Sequence, residues 1–339
     1  MSAGVAVCPW PCPWRGGTLR AGVQRHRDNL TAADRLREHR RRRRRRHGRR
    51  AYIRSVYFLP SLATLGNAVC GFGAIYVAIL NTAPLGDDPL TQLWGSRAFT
   101  YAAYLIFLAM VFDALDGRLA RWTRHTTDFG GQLDSLADVL SFGAAPAMLA
   151  LLAFRATVGD DVSSHFVSRL IWGAGALYTC CAALRLARFN VSNEHGEQHH
   201  FSFLGLPSPG AGGAVAGFVI MQQEMARAAV ALDSTALAAV ATAAMWLLPV
   251  VVLGTGLLMV SEVRYPHVVN RYMRGRRSIG RLVAVAAILI LLLLFPQYTI
   301  GLGTLLYALW GPALWLTARV RRRANATTPQ PVATDGAAA

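Results

Sequence analysis

The sequence predicts an all-α, polytopic transmembrane bundle of about eight spans, on three observations. Of its 339 residues, 53% are hydrophobic and only 16% charged, against about 25% charged in an average soluble domain. Eight apolar stretches, at 56–80, 98–117, 133–154, 167–187, 207–223, 235–261, 280–297 and 299–318, approach the roughly 20 residues that a helix needs to cross a bilayer. The formal charge of +17 is also unevenly spread: every arginine-rich segment falls on one side of the predicted membrane. That is the positive-inside pattern, and it puts both termini and the basic loops in the cytoplasm.

The elements follow in order. Residues 1–50 are rich in Pro, Gly and Arg, lack hydrophobic periodicity, and read as a disordered cytoplasmic leader. Their run "REHRRRRRRRHGRR" (37–50) suits topology and anionic headgroups better than nucleic acid, because its basicity recurs at 118–124, 185–188, 271–281 and 319–323. No nucleic-acid partner is expected. Residues 51–320 form the membrane domain, joined on the cytoplasmic side by loops 118–132, 188–206 and 262–279. The opposite loops, 81–97 and 155–166, are poor in base. "LPSP" (206–209) bends the chain into the short, Gly-rich fifth span, and residues 321–339 read as a solvated tail. The five cysteines (8, 12, 70, 180, 181) show no C-x2-C zinc spacing. His199 and His200 read as loop residues.

One stretch breaks the apolar pattern. "FDALDGRLARWTRHTTDFGGQLDSLAD" (112–138) carries five aspartates at the junction of the second and third spans. A carboxylate within a membrane helix costs about 2.5–3.5 kcal/mol on insertion scales, so its presence there asks for a function. Asp113 and Asp116 share one helix face, as do Asp134 and Asp138, and two antiparallel helices bring both pairs to one depth. Four close carboxylates repel unless a cation sits among them. An oxygen-only ligand set suits Mg2+ or Mn2+ over zinc or copper. Gly117 and Ala120 leave one helix face nearly bare for a bulky group. Arg121 sets a cation beside the carboxylates, and Gly130 lets the next helix approach. Asp128 reads as a helix-entry residue. The plainer alternative, capping or pairing with Arg118, Arg121 and Arg124, accounts poorly for eight positions in register.

The string D-x2-D-G-x2-A-R-x8-G-x3-D-x3-D is also the signature of the CDP-alcohol phosphatidyltransferase superfamily, which residues 52–320 resemble. Within it, "QLDSLADVLSFGAAPA" (132–147), "RLARFNV" (185–191), "FLGLPSPGA" (203–211) and "MVSEVRYP" (259–266) resemble the bacterial phosphatidylserine synthase branch. The resemblance implies a six-helix catalytic core and a homodimer in the plasma or inner membrane. It implies CDP-diacylglycerol as donor, L-serine as acceptor and CMP as leaving group. It assigns Asp113, Asp116, Asp134 and Asp138 to two Mg2+ or Mn2+ ions, with Asp138 also the general base. Thr64, Asn67, Gly117, Ala120, Arg121 and Gly130 fall to the donor. The chain departs from the family in beginning its first span Pro60-Ser61 rather than Pro-Asn.

Arg185 and Arg188, three apart, can hold a lipid phosphate or the serine carboxylate, or simply mark a membrane boundary. Ser141, one turn past the last aspartate, can reach a substrate or pack between helices. Two rivals remain. A sister transferase would use glycerol 3-phosphate or an inositol phosphate as acceptor. A divalent-cation transporter would need acidic residues continuing across the other spans, and the predicted spans four to eight hold none.

Overall fold

The computed structural model describes residues 61–80, 97–123, 128–158, 164–194, 203–265 and 279–327. The leader, His199, His200 and most of the 262–279 loop therefore lie outside the described residues. All eight predicted stretches fold as helices. These are α1 (Ser61–Leu80), α2 (Ala98–Thr123), and α3 (Asp128–Asp138), which runs through a π-helical turn at Val139–Ala144 into α4 (Ala145–Val158). They continue with α5 (Ser164–Glu194), α6 (Ser208–Ala231), α7 (Thr235–Val260), α8 (Ile279–Leu294) and α9 (Pro296–Thr327). The described non-helical structure includes one antiparallel pairing of two-residue strands, β1 (Phe203–Leu204) with β2 (Arg264–Tyr265).

Six of these helical segments are long and apolar enough to span a bilayer. The expected eight spans are therefore not all matched. Glycines and the polar run Gln222–Glu224 dilute the hydropathy of α6. With 16 residues, α8 reaches only about 24 Å at 1.5 Å per residue, short of a hydrocarbon core of about 30 Å. At the C-terminal end α9 runs to Thr327, into the stretch expected to be tail. Arginine is a good helix former, and cations suit a helix C-terminus.

Helix α6 is the axle of the bundle. Every residue from Ala211 to Ile220 is buried, and its small side chains let neighbouring helices close in, as membrane packing requires. A Cβ on Gly212 would meet Phe142 at 3.4 Å, and one on Gly213 would meet Met110 at 3.3 Å. On the other side Gly217 faces Gly301 of α9, where an added Cβ would lie 2.6 Å from the Gly217 carbonyl oxygen. Large apolar side chains such as Phe72, Trp172, Leu184, Val250 and Leu293 point outward, as a lipid-facing surface demands.

Three polar details set the active end of the bundle. Pro146, four residues after Phe142, has no N–H to give to Phe142 O, and Tyr178 Oη donates to that carbonyl at 2.9 Å. Gly205 turns the chain from β1 toward α6 with φ +82°, a conformation that favours glycine, and its N–H donates to Val263 O at 2.9 Å. In α9, Pro312 has no N–H to give to Ala308 O. Tyr265 Oη takes that carbonyl instead, at 2.8 Å.

Candidate active site

The last turns of α2 and the body of α3 bring the aspartates together. Oxygens of Asp113, Asp116 and Asp134 lie within 4.8 Å of one another. Asp116 and Asp138 are buried, at 6% and 7% exposure, while Asp113 and Asp134 are half-buried. Asp138 stands one turn beyond Asp134, close enough to interact electrostatically with Asp113 and Asp134.

Helix α1 forms the third wall. Thr64 and Asn67, three apart on one face, each hold one aspartate. Thr64 Oγ1 donates to Asp116 Oδ2 at 3.0 Å, and Asn67 Nδ2 donates to Asp138 Oδ1 at 3.0 Å. Asn67 is itself fully buried, and its backbone oxygen accepts from Ser141 Oγ at 2.9 Å. Gly71 makes this approach possible, since a Cβ there would lie 2.7 Å from Ser141 Cα.

Ser141 packs between helices. It is fully buried, with its hydroxyl committed to α1. Ser61 sits half-buried in the first turn of α1. Gly117 is exposed, and a Cβ there would meet nothing within 4 Å. Packing within this chain therefore does not require its glycine, and the space beside it is open to a ligand. Gly130 is half-buried at the start of α3. Ala120 and Arg121 continue the α2 backbone, but their side chains lie outside the described residues.

Arg185 projects from α5 toward the acidic cluster and interacts with Asp138 and Asp113. It is half-buried, and its Nη1 donates to Ser208 Oγ in the first turn of α6. Arg188, one turn on, is exposed. Two partnerships were missed in the sequence. Ser208 lies within the quoted "LPSP" stretch but was read only as part of a bend. Asn190, the last letter of "RLARFN", donates from Nδ2 to Ser135 Oγ at 2.9 Å, tying α5 to α3 beside Asp134.

The donor set fits a hard divalent cation. It is oxygen-only, three carboxylates converge, and Asp134 Oδ1 is buried without a hydrogen-bond partner. A buried, unpartnered carboxylate oxygen is costly unless something fills the place. The arrangement suits a channel less well. Extended to Ala231, α6 does carry Glu224, but that side chain is paired with Arg227 at 2.9 Å. Arg227 in turn donates to Thr100 at the start of α2, far along that helix from Asp113.

A membrane-integral helical bundle with this carboxylate cluster defines the class. A sequence profile described as CDP-alcohol phosphatidyltransferase matches residues 57–243, from α1 into α7. The chain belongs to that family of metal-dependent transferases. Among similar proteins is the CDP-diacylglycerol–serine O-phosphatidyltransferase of Helicobacter pylori strain 26695, 29% identical over 79% of this chain and 95% of the relative. The protein of the same name from Methanocaldococcus jannaschii is 31% identical over 61% of this chain and 80% of its own. The archaetidylserine synthase of Methanothermobacter thermautotrophicus is 35% identical over 50% of this chain and 60% of its own.

Proposed function

We infer that this chain is a CDP-diacylglycerol–serine O-phosphatidyltransferase, making phosphatidylserine and CMP. One observation carries the chemistry: the converging oxygens of Asp113, Asp116 and Asp134, one turn from an Asp138 held by Asn67. The choice of serine is supported by relatives of that name in both a bacterium and an archaeon.

In this reading the acyl chains of the donor stay in lipid, while its head group enters beside the open face at Gly117. The serine hydroxyl oxygen forms a bond to the phosphatidyl phosphorus. The bond from that phosphorus to the oxygen of CMP breaks, and CMP leaves with the electron pair. Asn67 holds Asp138 Oδ1, so Oδ2 takes the serine proton late in the step, as charge develops. Thr64 orients Asp116 in the same way. Asp113, Asp116 and Asp134, with Asp138 beside them, would hold Mg2+ or Mn2+ (two ions by the family pattern), which would supply charge neutralisation for the diphosphate and the departing oxygen. Arg185 is assigned to the acceptor carboxylate, and Arg188 and Arg121 to the phosphates. The site and both termini face the cytoplasm of a plasma or inner membrane, a reading supported by the arginine clusters. The homodimer, the leader at 1–50 and a tail beyond α9 belong to the same proposal.

The test is CMP release by the purified protein in detergent with CDP-diacylglycerol and Mg2+ or Mn2+. L-serine, glycerol 3-phosphate and inositol 1-phosphate are supplied separately, each with a chelator control. Chelator-sensitive release with serine alone is expected. Release with a phosphorylated acceptor alone would move the chain to a sister activity of the same family.

A further inference from the structure

The family match ends at residue 243, yet α9, starting at Pro296, reaches the side of the site where Arg185 stands. Its contact with α6 includes the Gly217–Gly301 approach and, nearer the site, Tyr307. Tyr307 is half-buried and stands close enough to Arg185 to interact with it. Its ring lies against the N-terminal turn of α6, where a Cβ on Gly210 would come within 2.8 Å of Tyr307 Cε1. Two residues before Gly210 is Ser208, the fully buried hydroxyl that accepts from Arg185. Tyr307 and Ser208 therefore flank the same guanidinium from two helices.

A latch holds Tyr307 there. Tyr265, buried to 1% exposure, packs its ring against Gly311, one turn beyond Tyr307, and 6.0 Å from the Tyr307 ring centre. Its hydroxyl caps the carbonyl that Pro312 leaves open, at Ala308. Burial pushes the Tyr265 hydroxyl up to about 12, so it stays a donor across the physiological range. Strand β2, which carries Tyr265, pairs with β1 just ahead of α6. The result is a closed ring of contacts from α6 through β1 and β2 to α9 and back to Arg185.

Arg185 is left with one unmet need. Its Nε is buried and has no hydrogen-bond partner, although a guanidinium has five N–H groups to satisfy and meets carboxylates in a fixed fork. An anionic oxygen is the natural partner, from either the amino-acid acceptor or the phosphate of the lipid donor. We propose that Tyr307 is a positioning residue for the acceptor. With Ser208 it fixes the Arg185 guanidinium so that the free Nε–H is held for the carboxylate of the incoming amino acid. This rests on the serine-transferase reading above. It adds to that reading that a helix outside the matched region sets acceptor affinity.

The test compares the full-length wild type with Tyr307→Phe and Gly210→Ala, measuring CMP release against serine and against CDP-diacylglycerol, with thermal unfolding of each. Tyr307→Phe keeps the ring and removes only the hydroxyl, whereas Gly210→Ala keeps the phenol and displaces it, so the two variants perturb the contact in independent ways. For both variants KM for serine should rise about fivefold or more, while KM for CDP-diacylglycerol and kcat at saturating serine stay within twofold. An unchanged serine KM in both folded variants would overturn the proposal. So would a rise confined to the KM for CDP-diacylglycerol, which would give the free N–H to the lipid phosphate. A uniform fall in kcat together with Tm would reduce Tyr307 to packing and would also overturn it. If the wild type shows no serine-dependent release, the underlying activity reading fails rather than the role of Tyr307.

Discussion

Replacing Asn67 with leucine separates the catalytic use of this side chain from its structural one. The substitution keeps the approximate volume of a fully buried residue and deletes the donor that meets Asp138 Oδ1 at 3.0 Å. It also deletes Asn67 Oδ1, a buried oxygen with no hydrogen-bond partner, whose removal relieves a desolvation cost. The clamp from Ser141 survives, because it ends on the backbone oxygen of residue 67. Folding should therefore change little. A hydrogen bond to a charged group contributes about 1.5–3 kcal/mol. If that amount holds Asp138 in place at the transition state, kcat falls about ten- to one-hundred-fold at 1.36 kcal/mol per decade. The assay is CMP release at saturating serine and donor, alongside thermal unfolding in the same detergent. A near-wild-type rate with an unchanged Tm would refute the claim that Asn67 orients Asp138. An equal loss of rate and of folded protein would return Asn67 to a packing role.

Further substitutions probe the rest of the site. Asp138→Asn should lower turnover at least a hundredfold while CDP-diacylglycerol still binds, measured by single-turnover CMP release and by lipid pull-down. Asp113→Asn should weaken metal and donor binding together, read as a higher Mn2+ concentration at half-maximal activity. Gly71→Ala forces a Cβ to within 2.7 Å of Ser141 Cα and should cost about 1–3 kcal/mol as overpacking, visible as a lower Tm together with lost activity. Gly117→Ala meets nothing in the chain, so Tm should hold while KM for CDP-diacylglycerol rises severalfold, and an unchanged KM would remove the donor from that face.

The parts of this protein that were legible in the sequence are those governed by local periodicity. Apolar runs became helices, and two adjacent helices bring oxygens of Asp113, Asp116 and Asp134 together, with Asp138 one turn beyond Asp134. Element ends were less legible. The stretch expected at 207–223 extends to Ala231, because buried small residues and a Glu224–Arg227 pair sustain the helix beyond its apolar part. The π turn at Val139–Ala144 has no periodic signature, being stabilised by tertiary donors such as Tyr178. The pairing of Asn67 with Asp138, of Arg185 with Ser208, and the approach of Tyr307 depend on how distant helices cross. Arg185 and Ser208 are 23 residues apart, with a loop between them, and spacing rules act only within one element. Ser141 illustrates the converse. Proximity in sequence to Asp138 left a substrate contact and helix packing both open, and the hydroxyl donates to the backbone oxygen of Asn67 in α1.

The most direct test of the central claim follows the oxygen. The purified enzyme would be given L-serine labelled with 18O in its hydroxyl, unlabelled CDP-diacylglycerol and Mn2+, and both products would be weighed by mass spectrometry. Serine attack at the phosphatidyl phosphorus predicts that the label is retained in phosphatidylserine, in the oxygen bridging serine to phosphorus, with CMP unlabelled and both products lost on chelation. Label in CMP, or CMP formed without a serine-containing lipid, would contradict the account.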